Sequence, residues 1–433
     1  FNIKEDNLPL FLRWLLIVVP AKNQGKDQAQ QISSGIKELG PIFIKLGQTL
    51  SVRPDIVGVD MAVELTKLQD QVTPFSSEVA IKTIENEFEQ TIDELFLEFD
   101  TKPVAAASIA QVHKAKTHCG KDVAVKIIRP NIENILNKDI KFFYWAAKVL
   151  SRLFSNAARL RPIEVVQEFE KTIRMEIDFR FEAAAASELK ENCLNDEFVY
   201  VPSIFWNIVS QKVLTIEWID GISIYNKDEL KNNHHDVKEI AERVAVSFFN
   251  QAYRDGFFHA DLHPGNVFID KTGRVVPIDF GIMGRLDKKN RLAVAGILQG
   301  FIEKDYKKVA QIHIDIGYVP ANTDVNVFAQ ACRSIGEPIV GLPVNKISIA
   351  KLLMQLFKIT EDFSMETQPQ LLLLQKTMVL IEGIGSSLDK EINMWQLAEP
   401  WVKEWAVENM GPKAVIKDNV ESAFLSLKNL SKL

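Results

Sequence analysis

Cysteine is scarce in this 433-residue chain: Cys119, Cys193 and Cys332 lie far apart, and no C-x-x-C pair exists. That excludes a disulfide framework and reads as free thiols in a reducing compartment. Long apolar runs are missing too. No stretch is expected to reach the roughly 20 apolar residues of a membrane span. The nearest, Leu8 to Pro20, is too short, contains Arg13 and lacks a small-residue cleavage site, so a signal peptide is not expected either. An excess of positive charge is absent: the net charge of −6 argues against nucleic acid as a partner. No repeat or low-complexity tract is visible. With 47% hydrophobic and 25% charged residues, the composition is that of a globular protein. The length suggests two to three packed units.

One further absence matters most. A phosphate-covering loop is commonly written G-x-G-x-x-G-x-V, with V-A-I-K soon after. Here alanine stands at each glycine position (Ala105, Ala107, Ala110), Val112 is kept, and Val123-Ala124-Val125-Lys126 follows. The lid is therefore rebuilt in Ala105-Ala106-Ala107-Ser108. Alanine restricts positive φ and adds methyl groups where backbone amides approach phosphates, so a stiffer lid and altered nucleotide preference are expected.

The periodicity predicts helices over Gln28–Leu39 and Ile42–Val52, broken at Gly40-Pro41, and another over Phe75–Phe88 opened by Ser76-Ser77-Glu78. Gln111–Lys116 and Asp122–Ile128 alternate around Cys119-Gly120 as a hairpin. Long helices are expected over Asn131–Phe154 and Pro162–Asn192, a strand over Val213–Trp218, and a hairpin around Lys271-Thr272-Gly273. Strands followed by helices suggest a small mixed lobe and a helical lobe, an α+β arrangement.

Lys126 ends an alternating run, where its charge suits the α- and β-phosphates of a nucleotide, and it needs a carboxylate to hold it. Candidates are Glu176, Asp178 and Glu182. On one continuous helix, Asp178 and Glu182 share a face and Glu176 is turned away by roughly 200°. Glu182 is the favoured partner. His259-Ala260-Asp261-Leu262-His263-Pro264-Gly265-Asn266 has the D-x-x-x-x-N spacing of a catalytic loop. There Asp261 accepts a hydroxyl proton or orients water, and Asn266 reaches a metal. Asp279 opens Asp279-Phe280-Gly281 and is the expected principal Mg²⁺ ligand. Each motif alone is common; the three in order are not. His259 reads as a packing residue rather than a base. Val213 to Gly221 reads as a strand and hinge, with backbone groups of Glu217 and Ile219 facing an adenine. Ala260 replaces the arginine that would receive an activation-loop phosphate, and no A-P-E follows Gly281; both count against an ordinary protein kinase.

With these residues assembled, the chain resembles the UbiB family of atypical kinase-like proteins from about Leu8 onward. The family's K-x-G-Q motif is Lys45-Leu46-Gly47-Gln48, its alanine-rich loop is Ala105-Ala106-Ala107-Ser108, and its E-x-D motif is Glu176-Ile177-Asp178. The resemblance implies a protein-kinase-like two-lobed fold with an N-terminal helical extension, divided as 1–98, 99–220 and 221–433. It further implies that Lys45 acts at the nucleotide site, with Gln48, Glu176 and Asp178 regulating it. ATP or ADP and Mg²⁺ are the implied ligands. Other ubiquinone-biosynthesis enzymes, membrane lipids and prenylated quinone precursors are the implied partners. The implied location is the cytoplasmic face of a bacterial inner membrane, and the hydrophobic C-terminal spans of bacterial members are not expected before Leu433.

Lys138, Lys141, Lys148, Arg152 and Arg159 recur at helical spacing opposite Phe143, Ala146, Leu150 and Phe154. This is either a surface helix with a solvated charged face or one that lies on an anionic membrane. The leading expectation is an ATPase or small-molecule kinase supporting ubiquinone biosynthesis. A protein kinase or regulator of the quinone enzymes, a pseudokinase scaffold, and a relative of the aminoglycoside phosphotransferases are the alternatives.

Overall fold

The computed structural model describes residues 28–51, 73–153, 162–263, 265–340 and 368–391, with a few isolated positions between and beyond them. The chain divides into two units, the first comprising residues 1–187 and 202–219, the second 188–201 and 220–433. Leu8–Pro20, Val52, Phe154 and Arg159 lie outside the described residues.

In the first unit, α1 (Gln28–Leu39) and α2 (Pro41–Ser51) are separated by Gly40. Its φ of +113° is open to glycine and strained for other residues. Next come α3 (Ser77–Phe88), capped by Ser76, and the short α4 (Ile92–Leu95). β1 (Glu98–Phe99), β2 (Ala105–Ala106), β3 (Ala110–Lys116) and β4 (Asp122–Ile128) follow. Then come α5 (Ile132–Leu153), α6 (Pro162–Glu176), α7 (Phe179–Asn192), of which residues up to 187 belong to this unit, and β5 (Val213–Glu217). The sheet is antiparallel: β3 pairs β4 on one side and both β1 and β2 on the other, and β4 also pairs β5. Alternation along β4 buries Val123, Val125 and Ile127 on one face, against Ala80 and Ile84 of α3. Lys126 points to the opposite face, shared with its register partner Val112. A second core joins α1, α2, α5 and α6 through Ile32, Phe43, Phe143 and Phe169.

The continuous helix expected over Pro162–Asn192 is two helices. The Phe179 N–H leaves the helical ladder to donate to the Gln211 carbonyl at 3.0 Å. The Asp178 carboxylate accepts the Arg180 N–H at 3.1 Å, which makes Asp178 the N-cap of α7. Glu176, Asp178 and Glu182 therefore do not share one helical cylinder: Glu176 ends α6, Asp178 lies between the helices and Glu182 is in the first turn of α7.

The second unit takes in residues 188–201, with the end of α7, and then β6 (Ile222–Ser223), α8 (Lys227–Asn232) and α9 (Val237–Phe249). α9 runs into a π-helical turn, Asn250–Asp255. β7 (Phe257–His259), β8 (Val267–Ile269), β9 (Val275–Pro277) and β10 (Met283–Arg285) form two small sheets, β6-β8-β9 and β10-β7. α10 (Lys288–Ile302), capped by Asp287, α11 (Tyr306–Ile316), α12 (Val325–Val340) and α13 (Pro369–Leu388) complete it. The antiparallel pairing of β7 with β10 brings the residues around His259 beside those following Gly281.

The expectation that no stretch suits a membrane span needs correction. Gln370–Leu388 in α13 is long and apolar enough to cross one, by length and composition. Lys376 and Glu382 interrupt the run in sequence, which hid it. Leu371, Leu374, Met378, Ile381, Ile384 and Leu388 pack into the core of the second unit instead.

Candidate active site

In the first unit the alanine lid is a hairpin. Ala105 pairs with Val112 and Ala106 with Gln111, and the Ala107 N–H donates to the Ala110 carbonyl at 2.7 Å. The turn is held from behind by Arg129. Its Nε donates to the Ser108 carbonyl at 3.1 Å, and its Nη2 to the carbonyls of Ala107 at 3.2 Å and Thr73 at 3.1 Å. Three carbonyls are thus fixed by one guanidinium, a role that sequence reading missed. The Ser108 hydroxyl is buried with no hydrogen-bond partner among the described residues, the kind of orphan a ligand oxygen satisfies.

Lys126 Nζ lies 2.9 and 3.0 Å from the two carboxylate oxygens of Glu182. Glu182 sits in the first turn of α7, where the helix dipole favours a carboxylate. Lys45 of α2 pairs with Glu176 at the end of α6; their side chains are 11% and 16% exposed, so this ion pair is largely withdrawn from water. Gly47 lets α2 pack closely, since a Cβ there would collide with Leu68. Gln48 Nε2 donates to the Leu68 carbonyl at 3.2 Å. Asp178 takes a different partner: Arg180 binds both its oxygens, at 2.9 and 2.7 Å. That guanidinium holds the Asp178 carboxyl below its ordinary range, assisted by the Arg180 N–H and opposed by burial. Glu217 donates its backbone N–H to Ser203 at 2.9 Å, so its N–H is already committed; Ile219 is the last residue of the unit.

The candidate catalytic loop lies in the second unit. Asn266 Nδ2 donates to the Asp261 backbone carbonyl at 3.1 Å and to its Oδ2 at 3.3 Å. Both bonds use the amide nitrogen, which leaves the amide oxygen as the group able to meet a cation. His259 is buried. Its Nδ1 accepts the Asp261 N–H at 3.2 Å, so the proton resides on Nε2, which donates to the Asp279 carbonyl. Burial pushes its pKa down, outweighing the nearby carboxylates. His259 thus ties the loop to Asp279 as a neutral strut. The π-turn adds Gln251, whose side-chain oxygen accepts the His259 N–H at 3.1 Å. Asp279 Oδ1 accepts the Gly281 N–H at 3.1 Å. His263 Nε2 is 3.8 Å from Asp261 Oδ2. A lysine absent from the sequence reading, Lys376 of α13, reaches Asp261 Oδ1 at 3.0 Å.

No group of three or more His, Cys, Asp or Glu side chains suited to a metal occurs among the described residues. A carboxylate with an amide oxygen fits a different pattern, that of Mg²⁺, which takes one or two protein oxygens and completes its shell with phosphates and water. Asp279 and Asn266 are the residues that would hold it.

An Asp/Asn catalytic loop, an Asp-Phe-Gly segment and a lysine held by a helix carboxylate define an atypical kinase-like protein. Comparison with known proteins agrees: the ABC1 atypical kinase-like domain matches residues 67–313, and the UbiB helical domain matches residues 332–393. The chain belongs to the UbiB family. It is 42% identical to "Probable protein kinase UbiB" of Pseudomonas aeruginosa over 410 residues, covering 94% of this chain and 76% of that protein. The same-named proteins of Pseudomonas fluorescens and Azotobacter vinelandii are each 41% identical, over 98% and 97% of this chain and 81% and 78% of theirs. Among solved structures, the complex of Rv3197 with erythromycin from Mycobacterium tuberculosis shares the fold. Its TM-score is 0.56 at 24% identity, covering 86% of this chain and 94% of that one.

Proposed function

We propose that this chain is a Mg²⁺-dependent ATPase or small-molecule phosphotransferase that supports ubiquinone biosynthesis at a membrane surface. The observation that carries the reading is the Lys126–Glu182 pair, in which both carboxylate oxygens hold the ammonium. A lysine so held is the arrangement an active nucleotide site requires, and a scaffold has no need of it. On this reading Lys126 steadies the α- and β-phosphates of ATP, and the buried, unpartnered Ser108 hydroxyl is the group in the lid turn suited to a ligand oxygen. Asp261 accepts the proton of the attacking hydroxyl or water as its oxygen bonds to the γ-phosphorus and ADP departs. Mg²⁺, when bound by Asp279 and Asn266, supplies charge neutralisation for the phosphates.

A peptide substrate fits less well, although the relatives carry the name of a probable protein kinase. The short β10 and the Asp287 cap of α10 follow directly after Gly281, leaving little chain for a peptide-docking segment. The membrane assignment draws on α5. Lys138, Lys141, Lys148 and Arg152 are exposed on one face, and Trp145 among them is 56% exposed and stacked on Phe142. A cationic face with an exposed indole suits an anionic lipid surface. Phe143 and Ala146 face the core. Membrane lipids, prenylated quinone precursors and other enzymes of ubiquinone biosynthesis are the partners this reading entails.

Phosphate release by the purified chain, with and without anionic vesicles and a prenylated phenol, tests it. Mg²⁺-dependent release that rises with both and is lost in Asp261→Asn is the expected result. Release that is absent, or unaffected by Asp261→Asn, overturns the reading.

A further inference from the structure

The loop from His259 to Asn266 contains no lysine or arginine. Its aspartate therefore lacks a permanent cation from its own segment. Within α13, the stretch Gln370–Leu388 carries a single cation, Lys376, among residues otherwise apolar or neutral except Glu382. A lysine on such a helix ordinarily extends its head into water. Lys376 does not: its ammonium stands 3.0 Å from Asp261 Oδ1, and both side chains are largely covered, at 24% and 23% exposure. Leu372, Leu374 and Met378 around it are buried, which sets the helix in place.

The two oxygens of Asp261 consequently have different holders. Oδ1 faces Lys376, while Oδ2 and the backbone carbonyl face Asn266 Nδ2. A carboxylate gripped at both oxygens has one orientation, the condition for aiming a proton acceptor at a reacting hydroxyl. We propose that Lys376 is a positioning residue for Asp261, so that the helical segment after the kinase-like domain completes the catalytic loop. This rests on the reading of Asp261 as proton acceptor. Lys376 acts through the aspartate, and the helix that bears it fixes its reach.

The full chain tests this with Lys376→Met, Lys376→Arg, Asp261→Asn and the double variant Lys376→Met/Asp261→Asn. Lys376→Met should lower kcat for ATP about tenfold or more while KM for ATP stays within about twofold, since orientation and not binding is lost. Lys376→Arg keeps the charge and should restore kcat to within about threefold of wild type. The double variant should be no slower than Asp261→Asn, because paired residues act as a unit. Unchanged kcat in Lys376→Met, or losses that multiply in the double variant, would overturn the proposal. Urea midpoints of the same four proteins give a readout without turnover. Non-additive shifts support the pairing, and additive shifts overturn it even if the wild-type chain hydrolyses no ATP, an outcome that defeats only the proposed function.

Discussion

Arg129 holds the alanine lid from behind: its Nε lies 3.1 Å from the carbonyl oxygen of Ser108. Because the same guanidinium also binds Ala107 and Thr73, the turn is restrained twice, by alanine backbones that disfavour positive φ and by a fixed cation. Ala107→Gly relaxes the first restraint and Arg129→Gln the second. Both should change the ratio of ADP to ATP affinity and raise self-labelling with radiolabelled ATP, with a larger change when combined. Unchanged ratios in a titration followed by intrinsic fluorescence would remove the lid from the nucleotide site.

Lys45 and Glu176 form an ion pair with little water access. Deleting one member strands the other charge, so Lys45→Met should destabilise the chain by about 2 kcal/mol or more. Adding Glu176→Gln should recover part of that loss. Urea denaturation of the single and double variants measures it, and a double variant that loses the sum of both singles would show that the two charges do not depend on each other.

Asp279→Asn should abolish the Mg²⁺-dependent part of ATP binding and leave the melting temperature without nucleotide nearly unchanged. The reason is chemical: a neutral amide is a far weaker ligand for a hard cation than a carboxylate. Its contact with the Gly281 N–H, an acceptor role that an amide oxygen can also fill, should persist. Calorimetric titration with and without Mg²⁺ decides, and equal enhancement in both proteins would move the metal elsewhere.

His313 sets a pH limit on stability. It is buried, packs edge-on against Tyr318 and Phe328, and donates from Nδ1 to the Val309 carbonyl at 2.8 Å. Burial pushes its pKa down from 6.5 to about 4. The unfolded chain therefore binds a proton that the folded chain refuses between those values, and stability falls as pH falls through that window. At pH 5 this one group should cost about 2 kcal/mol relative to pH 8. Urea midpoints across that range should be flatter for His313→Gln, and an equally steep fall in the variant would assign the dependence to other groups.

Much of the candidate site is written locally. A catalytic loop needs fixed spacing along a short segment, so Asp261, Asn266 and Asp279 could be named from the chain alone, as could the hairpin that carries Lys126. The same holds for the breaks at Gly40 and Gly120, where positive φ selects glycine. Choosing among Glu176, Asp178 and Glu182 was a different problem. All three are acidic and close in sequence. Only the break between α6 and α7 turns Glu182 to Lys126 and Glu176 to Lys45, and leaves Asp178 to cap a helix and bind Arg180. That break depends on the Gln211 carbonyl, a distant acceptor that no local pattern announces. Arg129 and Lys376 escaped notice for the same reason. Helical and strand periodicity reports which face of an element is apolar, and local spacing reports which groups one loop can bring together. Neither reports where a long cationic side chain ends, because its partner is chosen by packing between segments far apart in the chain.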